Sequence, residues 1–357
     1  MESASNQSVR MTQTKNEYVE TLRGLAVVII TVGHAIGADA AGGMKVADDS
    51  FARYLFYTFH YIGIPLFTVI AGWVYALRPV HRGEAKAFLA KKARRLLLPM
   101  VTVGTLYFLL QYITPGANRH GILSEMWKIY VLPYTVYWYL PSLFLLFGFI
   151  ALLDLHSACN SMRAWCGWML AGFAGVVAER YLSPNYPNVF GIWGAFCLVP
   201  YFLLGIGLRR FADRLSSPSM KKIYLAGLLA GFAVRQFVWI TTGDTALLRE
   251  LFLHLPIGML ASAFLLTSGW HNRFFVWMGS YAYGIYLFHA FGTGAGRILL
   301  LHAGIDSDTT IFLFSAFLGL FVPMVVERIM NGFPLLRTLF LGEKYVPKSD
   351  DRAIHSV

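Results

Sequence analysis

Ten apolar stretches dominate this chain, at about residues 22–42, 55–77, 96–114, 136–155, 165–182, 191–208, 223–241, 249–268, 277–301 and 309–328. Crossing a bilayer as a helix takes roughly 20 residues, so each is long enough or nearly so. In hydrocarbon every backbone N–H and C=O has to be paired inside the segment, which makes these stretches helices. The expected fold is all-α: a polytopic integral membrane bundle of about ten transmembrane helices. The stretches 165–182 and 191–208 are the shortest and are parted by YLSPNYPNVF. Composition agrees, with 57% hydrophobic and 14% charged residues, against about 25% charged in a soluble domain.

Basic residues orient such a bundle, because loops rich in Lys and Arg stay in the cytoplasm. Threading the chain through ten spans puts 22 of its 30 Lys and Arg on the side of the termini, five on the other side and three (Arg180, Arg235, Arg297) within spans. Both termini are therefore expected in the cytoplasm. A pI near 9.5 could suggest nucleic acid, but this distribution of charge is that of a membrane topology, and no nucleic-acid partner is expected. Residues 1–16 and 343–357 read as polar, mobile cytoplasmic tails, and 17–342 as one transmembrane domain without internal repeat or appended soluble domain. Residues 10–41, ending near ADAA, could pass for a secretory leader. The charged leader is long, however, and cleavage would discard the most unusual residues of the chain. Cys159, Cys166 and Cys197 fit neither a metal spacing nor an even disulfide set, and no metal site is expected.

Those unusual residues are ionisable groups inside apolar stretches, which are costly at membrane depth and commonly functional. In LRGLAVVIITVGH, Arg23 and His34 are eleven residues apart. On a helix that is roughly 16 Å of depth on nearly one face. Arg23 is expected at a membrane surface and His34 near the bilayer middle. His289, in GSYAYGIYLFHAF, is also expected near mid-depth, and His60, in FHYIGIPLFTVIAGW, one to two turns below the outer surface. A buried neutral imidazole can accept a proton. It can equally bridge two helices with no further role. Arg235 and Arg180 read as snorkelling, paired with a neighbour such as Glu179, or facing a water-filled cavity.

The stretch 78–95, RPVHRGEAKAFLAKKARR, reads as a basic loop that meets anionic membrane lipid headgroups. Arg78, Lys92, Arg94 and Arg95 within it are candidates for gripping phosphates, since Arg94 and Arg95 directly precede the apolar LLLP. The run FGTGAGR has no preceding strand, so its glycines serve close helix packing instead of a nucleotide loop.

Taken together, LRGLAVVIITVGH, FHYIGIPLFTVIAGW, RRLLLP, VYWYLPSLF, GSYAYGIYLFHAF and Glu327 in VVERIM resemble the acyltransferase-3 family of integral membrane O-acyltransferases, over residues 17 to 328. Two departures stand out. Extra residues separate His60 from Ile64-Pro65, and no proline follows Glu327.

The resemblance implies transfer of an acyl group, commonly acetyl, from cytoplasmic acyl-CoA to a hydroxyl of an extracytoplasmic sugar. The acceptor would be a cell-envelope or exported polysaccharide or its lipid-linked precursor, and the site a bacterial inner membrane. Acetyl-CoA would be a co-substrate, with no permanently bound cofactor. In that frame His34 is the expected general base, supported by Arg23. His289 and His60 orient or polarise the acceptor, Ser280 and Tyr281 bind locally, and Trp138 and Tyr139 stack on sugar. A transporter of lipid-linked glycans and a haem protein with two-helix histidine ligation are the other readings. A metalloprotease is excluded for want of His-Glu-x-x-His.

Overall fold

The computed structural model describes residues 2–243 and 253–347, with side chains from residue 17 onward. Regular structure among these residues is helical throughout. The helices are α1 (Glu2–Ile36), α2 (Phe51–Tyr75), α3 (Ala85–Ile113), the single turn α4 (Lys128–Val131), α5 (Tyr139–Leu155), α6 (Met162–Leu182) and α7 (Ile192–Arg210). They continue with the short α8 (Ala212–Leu215), α9 (Pro218–Thr242), α10 (His254–Ser268), α11 (Arg273–Ser280), α12 (Ala282–His302), α13 (Asp308–Asn331) and α14 (Pro334–Leu341). Among the described residues eight helical stretches are long and apolar enough to cross a membrane. The other two expected spans are helices as well. α6 has the length but not the apolarity, and α10 has 15 residues. The expected start of that eighth span, 249–252, lies outside the described residues.

Three boundaries differ from the sequence expectation, each for a local reason. α1 stops at Ile36 instead of running to 42. Gly37 takes a left-handed backbone, φ +92°, while donating its N–H to the Gly33 carbonyl at 2.8 Å, and this ends the helix. α3 begins at Ala85, so most of the stretch read as a basic loop is the first turns of a helix, built from good helix formers. The ninth span is not continuous. α11 ends at Ser280 and α12 resumes at Ala282, with Tyr281 between them.

The helices sort into two compact units. One is Met1–Arg78, Pro200–Ala282 and Asp306–Ala316; the other is Pro79–Val199, Tyr283–Ile305 and Phe317–Val357.

In the first unit α1 packs on α2 and α11, and α10 packs on α2 and α9. α1 and α11 touch backbone to backbone. A side chain at Gly24 would run into the Phe275 carbonyl, and one at Gly279 into the Glu20 carbonyl. α2 meets the second half of α7 in the same way, through Gly72 against Phe202 and Gly205 against Val69. Such small-residue contacts drive helix association where lipid offers no hydrophobic gain. The loop between α1 and α2 is strapped by Arg53, which is fully buried. Its guanidinium donates to the carbonyls of Gly37 and, at 2.9 Å, Val46, and its Nε lies 3.3 Å from Asp48. Ser50 caps α2 by accepting from the Arg53 N–H at 3.2 Å.

In the second unit α3 packs on α5 and α14. α12 is locked to the turn before α5 by two tyrosines. Tyr137 donates to the Leu287 carbonyl at 3.0 Å, and Tyr286 donates to the Val136 carbonyl at 2.7 Å. The polar stretch read as a tail from 343 begins with an anchored residue, since Glu343 pairs with Arg95 at 3.1 Å and Arg337 at 3.6 Å.

Candidate active site

His34 and His60 meet. His34 is in the last turn of α1, two residues before its end, and so not midway along its span as the longer helix would have put it. His60 comes from α2. Their rings stand edge to face, with centroids 5.6 Å apart. Phe56, one turn earlier on α2, stacks on His60 at 4.3 Å and 20°, which fixes the imidazole plane. Both histidines are half-buried, so each is packed and still reachable. His60 Nδ1 has no hydrogen-bond partner among the described residues. It points at α1 so closely that a side chain on Gly33 would come within 2.6 Å of it. A pair of imidazoles with one uncommitted nitrogen can accept a proton and hold it.

The aromatic surroundings continue from this pair within the same unit. Tyr61 lies 6.0 Å from His60, and His254 of α10 lies 5.3 Å from Tyr61. The Arg235 guanidinium of α9 sits 5.1 Å over the Tyr61 ring. Arg235 is only 2% exposed, which is neither snorkelling nor solvent contact. Arg23 is a partly exposed partner of Glu20, 2.6 Å away one turn earlier on α1. Ser280 is exposed and donates to the Trp277 carbonyl at 2.7 Å, and Tyr281 is half-buried at the break between α11 and α12. Arg78 is exposed at the end of the segment that closes this part of the unit.

The second unit holds a cationic cleft of about 310 Å³, lined by Lys91, Arg94, Arg95, Gly342, Glu343 and Lys344. Helix geometry explains the set. Lys91, Arg94 and Arg95 are at i, i+3 and i+4, one face of α3. Lys92, one step round, leaves that face and sits 3.5 Å from the centre of the Phe147 ring, so it is not among the lining residues. Arg95 is the most constrained. It donates to the Leu341 carbonyl at 2.8 Å, pairs with Glu343 and lies 4.3 Å over Tyr283. Arg94 donates to the Gly342 carbonyl at 3.3 Å.

The remaining expected residues of this unit are more enclosed. His289 is fully buried. Its Nδ1 faces the carbonyls of Tyr286, 2.8 Å, and Ile285, 3.2 Å. Carbonyls only accept, so this tautomer carries its proton on Nδ1. Tyr139 is 5% exposed and meets Tyr286 edge to face at 5.7 Å. Trp138 is half-buried against Gly194, where a side chain would meet it at 2.8 Å. Glu327 turns its Oε2 toward the backbone of Gly284 on α12.

The comparison with known families decides what this arrangement belongs to. Residues 16–328 match the family model of the acyltransferase-3 group, described as an acyltransferase domain. The chain belongs to the acyltransferase-3 family. With eight helices among the described residues long and apolar enough to cross a membrane, it is a multi-pass membrane acyltransferase. No curated protein and no solved structure matches it. In this acyltransferase-3 domain the structure adds His254, Lys91, Lys344 and Glu343 to the residues picked out by sequence, and it places Arg235 inside the first unit. The sequence signal for His254 was weak: one imidazole at the start of an apolar stretch, with Tyr57 and Tyr61 one turn apart on another. For Lys91 it was present as the i, i+3, i+4 spacing, once α3 is known to start at Ala85.

Proposed function

We propose that this membrane acyltransferase moves an acyl group, in the first instance acetyl, from cytoplasmic acyl-CoA to a sugar hydroxyl across a bacterial inner membrane. The acceptor class is a cell-envelope or exported polysaccharide or its lipid-linked precursor. The observation that carries this reading is the His34–His60 pair, edge to face at 5.6 Å and partly open, in a chain of this family.

His34 acts as general base. A sugar hydroxyl is a poor nucleophile until its proton is removed, and a positioned imidazole lowers that barrier by a factor of about 10²–10⁴. The hydroxyl oxygen attacks the thioester carbonyl as His34 takes the proton. The tetrahedral intermediate then expels CoA thiolate, which recovers that proton from His34, leaving the sugar ester and free CoA. His60, its plane fixed by Phe56, packs edge to face on His34 and orients it. The α3 cleft holds CoA phosphates, with Lys91, Arg94 and Lys344 as the main contacts and Arg95 placed by its ties to Leu341 and Tyr283. Charge-assisted bonds from arginine suit phosphate. Arg23, paired with Glu20, supports α1 electrostatically. His289, enclosed by backbone carbonyls, positions α12.

The test is acyl-CoA binding and turnover by the full chain in nanodiscs, wild type beside His34→Ala. Saturable acetyl-CoA binding by both, with thioester consumed on adding glycan only by wild type, supports the reading. Full activity of a folded His34→Ala protein would sink the assignment of the base. Movement of unmodified glycan without thioester consumption would replace it with transport.

A further inference from the structure

α9 buries few of its residues. Of its 25 residues from Pro218 to Thr242 only Tyr224 and Arg235 are buried. A helix that exposes many of its apolar side chains and hides its one mid-helix guanidinium inverts the usual order, because a charge withdrawn from water is costly unless partnered. Arg235 is 2% exposed, and both its terminal nitrogens lack a hydrogen-bond partner among the described residues. What surrounds it is aromatic. Tyr61 lies beneath the guanidinium at 5.1 Å. On the next position of α9, Gln236 accepts from Tyr54, whose ring stacks on Trp239 at 4.9 Å. A cation–π contact satisfies one face of a guanidinium and none of its N–H donors. Those donors form a planar fork matched to a carboxylate or phosphate.

From this arrangement we propose that Arg235 anchors an acceptor subsite, taking an oxyanion, a carboxylate or a phosphate, carried by the sugar that His34 deprotonates. This rests on the reading of His34 as the base. The path between the two is a series of rings in one unit: Arg235 to Tyr61 at 5.1 Å, Tyr61 to His60 at 6.0 Å, and His60 to His34 at 5.6 Å. A short oligosaccharide spans such a path, with its anionic group on Arg235, a sugar face against Tyr61, and a hydroxyl at the histidine pair. The acyltransferase would then select acidic or phosphate-linked glycans over neutral ones, since a neutral sugar leaves the guanidinium unmatched.

The experiment measures binding of three probes to the full chain in nanodiscs: tetragalacturonate, a polyprenyl-phosphate-linked glucose, and neutral cellotetraose. Wild type is compared with Arg235→Gln and Arg235→Lys. At least one anionic probe should bind wild type, at least tenfold more weakly to Arg235→Gln, with Arg235→Lys between them and cellotetraose indifferent to either change. Tetragalacturonate alone would identify a carboxylate acceptor, and the phosphate-linked probe alone a phosphate-bearing one. Without ligand, Arg235→Gln should melt at or above wild type, because it removes an unmatched buried charge. Equal binding by wild type and Arg235→Gln, no anionic probe bound by wild type, or a clear drop in the melting temperature of Arg235→Gln would each overturn the proposal. Acetyl-CoA turnover by His34→Ala, measured alongside, reads the base separately: a fully active His34→Ala protein refutes that role and leaves the anion-binding result standing.

Discussion

Two arginines in the first unit are almost completely hidden, and they are hidden differently. Around Arg53 every guanidinium nitrogen faces an oxygen: the Gly37 and Val46 carbonyls and the Asp48 carboxylate. Around Arg235 there are rings, and the terminal nitrogens face no acceptor. The first arrangement closes a loop and holds α1 to α2. The second leaves binding capacity unspent beside the histidine pair. The terminal nitrogens of Arg235 and His60 Nδ1, which lack a hydrogen-bond partner among the described residues, both lie along the ring path to His34.

If that division is right, substitutions should separate cleanly into losses of chemistry and losses of stability. His34→Ala should lower transfer by about 10²–10⁴ while the protein in detergent keeps the melting temperature of wild type; an equal loss of both would break the division. Arg53→Gln should do the reverse. Asp48 is exposed and stays hydrated, but leaving the two buried carbonyls of Gly37 and Val46 without a donor costs about 1–3 kcal/mol each, visible as a large drop in melting temperature. Gly24→Ala is expected to lose about 1–3 kcal/mol, because the added methyl group meets the Phe275 backbone and not a side chain that can turn away. Its thermal shift, set beside that of Arg53→Gln, shows whether helix contact or loop closure weighs more.

The cleft of the second unit sharpens the same contrast at lower amplitude. Arg94→Ala should weaken acetyl-CoA binding about tenfold, in keeping with the loss of one charge-assisted bond, with the turnover rate at saturating donor retained. Glu343→Gln frees Arg95 from an exposed pair worth about 0.2–1 kcal/mol. Donor affinity measured at low salt should therefore rise by no more than roughly fivefold. A fall on Glu343→Gln would mean that the carboxylate supports the cleft instead of competing for it.

Much of this was legible in the sequence, because bilayer thickness forces long apolar runs and those survive any detail of packing. Helices lie where the ten stretches predicted them, eight of them among the described residues long and apolar enough to cross a membrane, and the residues of the family segments fall on α1, α2, α3, the turn before α5, α5, α11, α12 and α13. The ends were harder. α1 stops early because one glycine turns left-handed and an arginine sixteen residues on takes its carbonyl, a contact that no local pattern announces. The basic stretch before LLLP looked like a loop because charge masks helix periodicity. Arg235 looked like a snorkelling residue because α9 is apolar all round, and hydropathy alone does not say which face turns inward. The meeting of His34 with His60 is tertiary: two spans each offered an imidazole, and only their packing brings the rings within 5.6 Å.

That packing is only as close as Gly33 allows. The position before His34 has no side chain, and His60 Nδ1 fills the space where one would be, 2.6 Å from the missing atom. A single methyl group there would act as a wedge, prising the two imidazoles apart while leaving both in the chain. Gly33→Ala is thus a candidate off-switch that removes none of the reacting groups, and a scaffold for asking how much of the rate depends on their spacing alone.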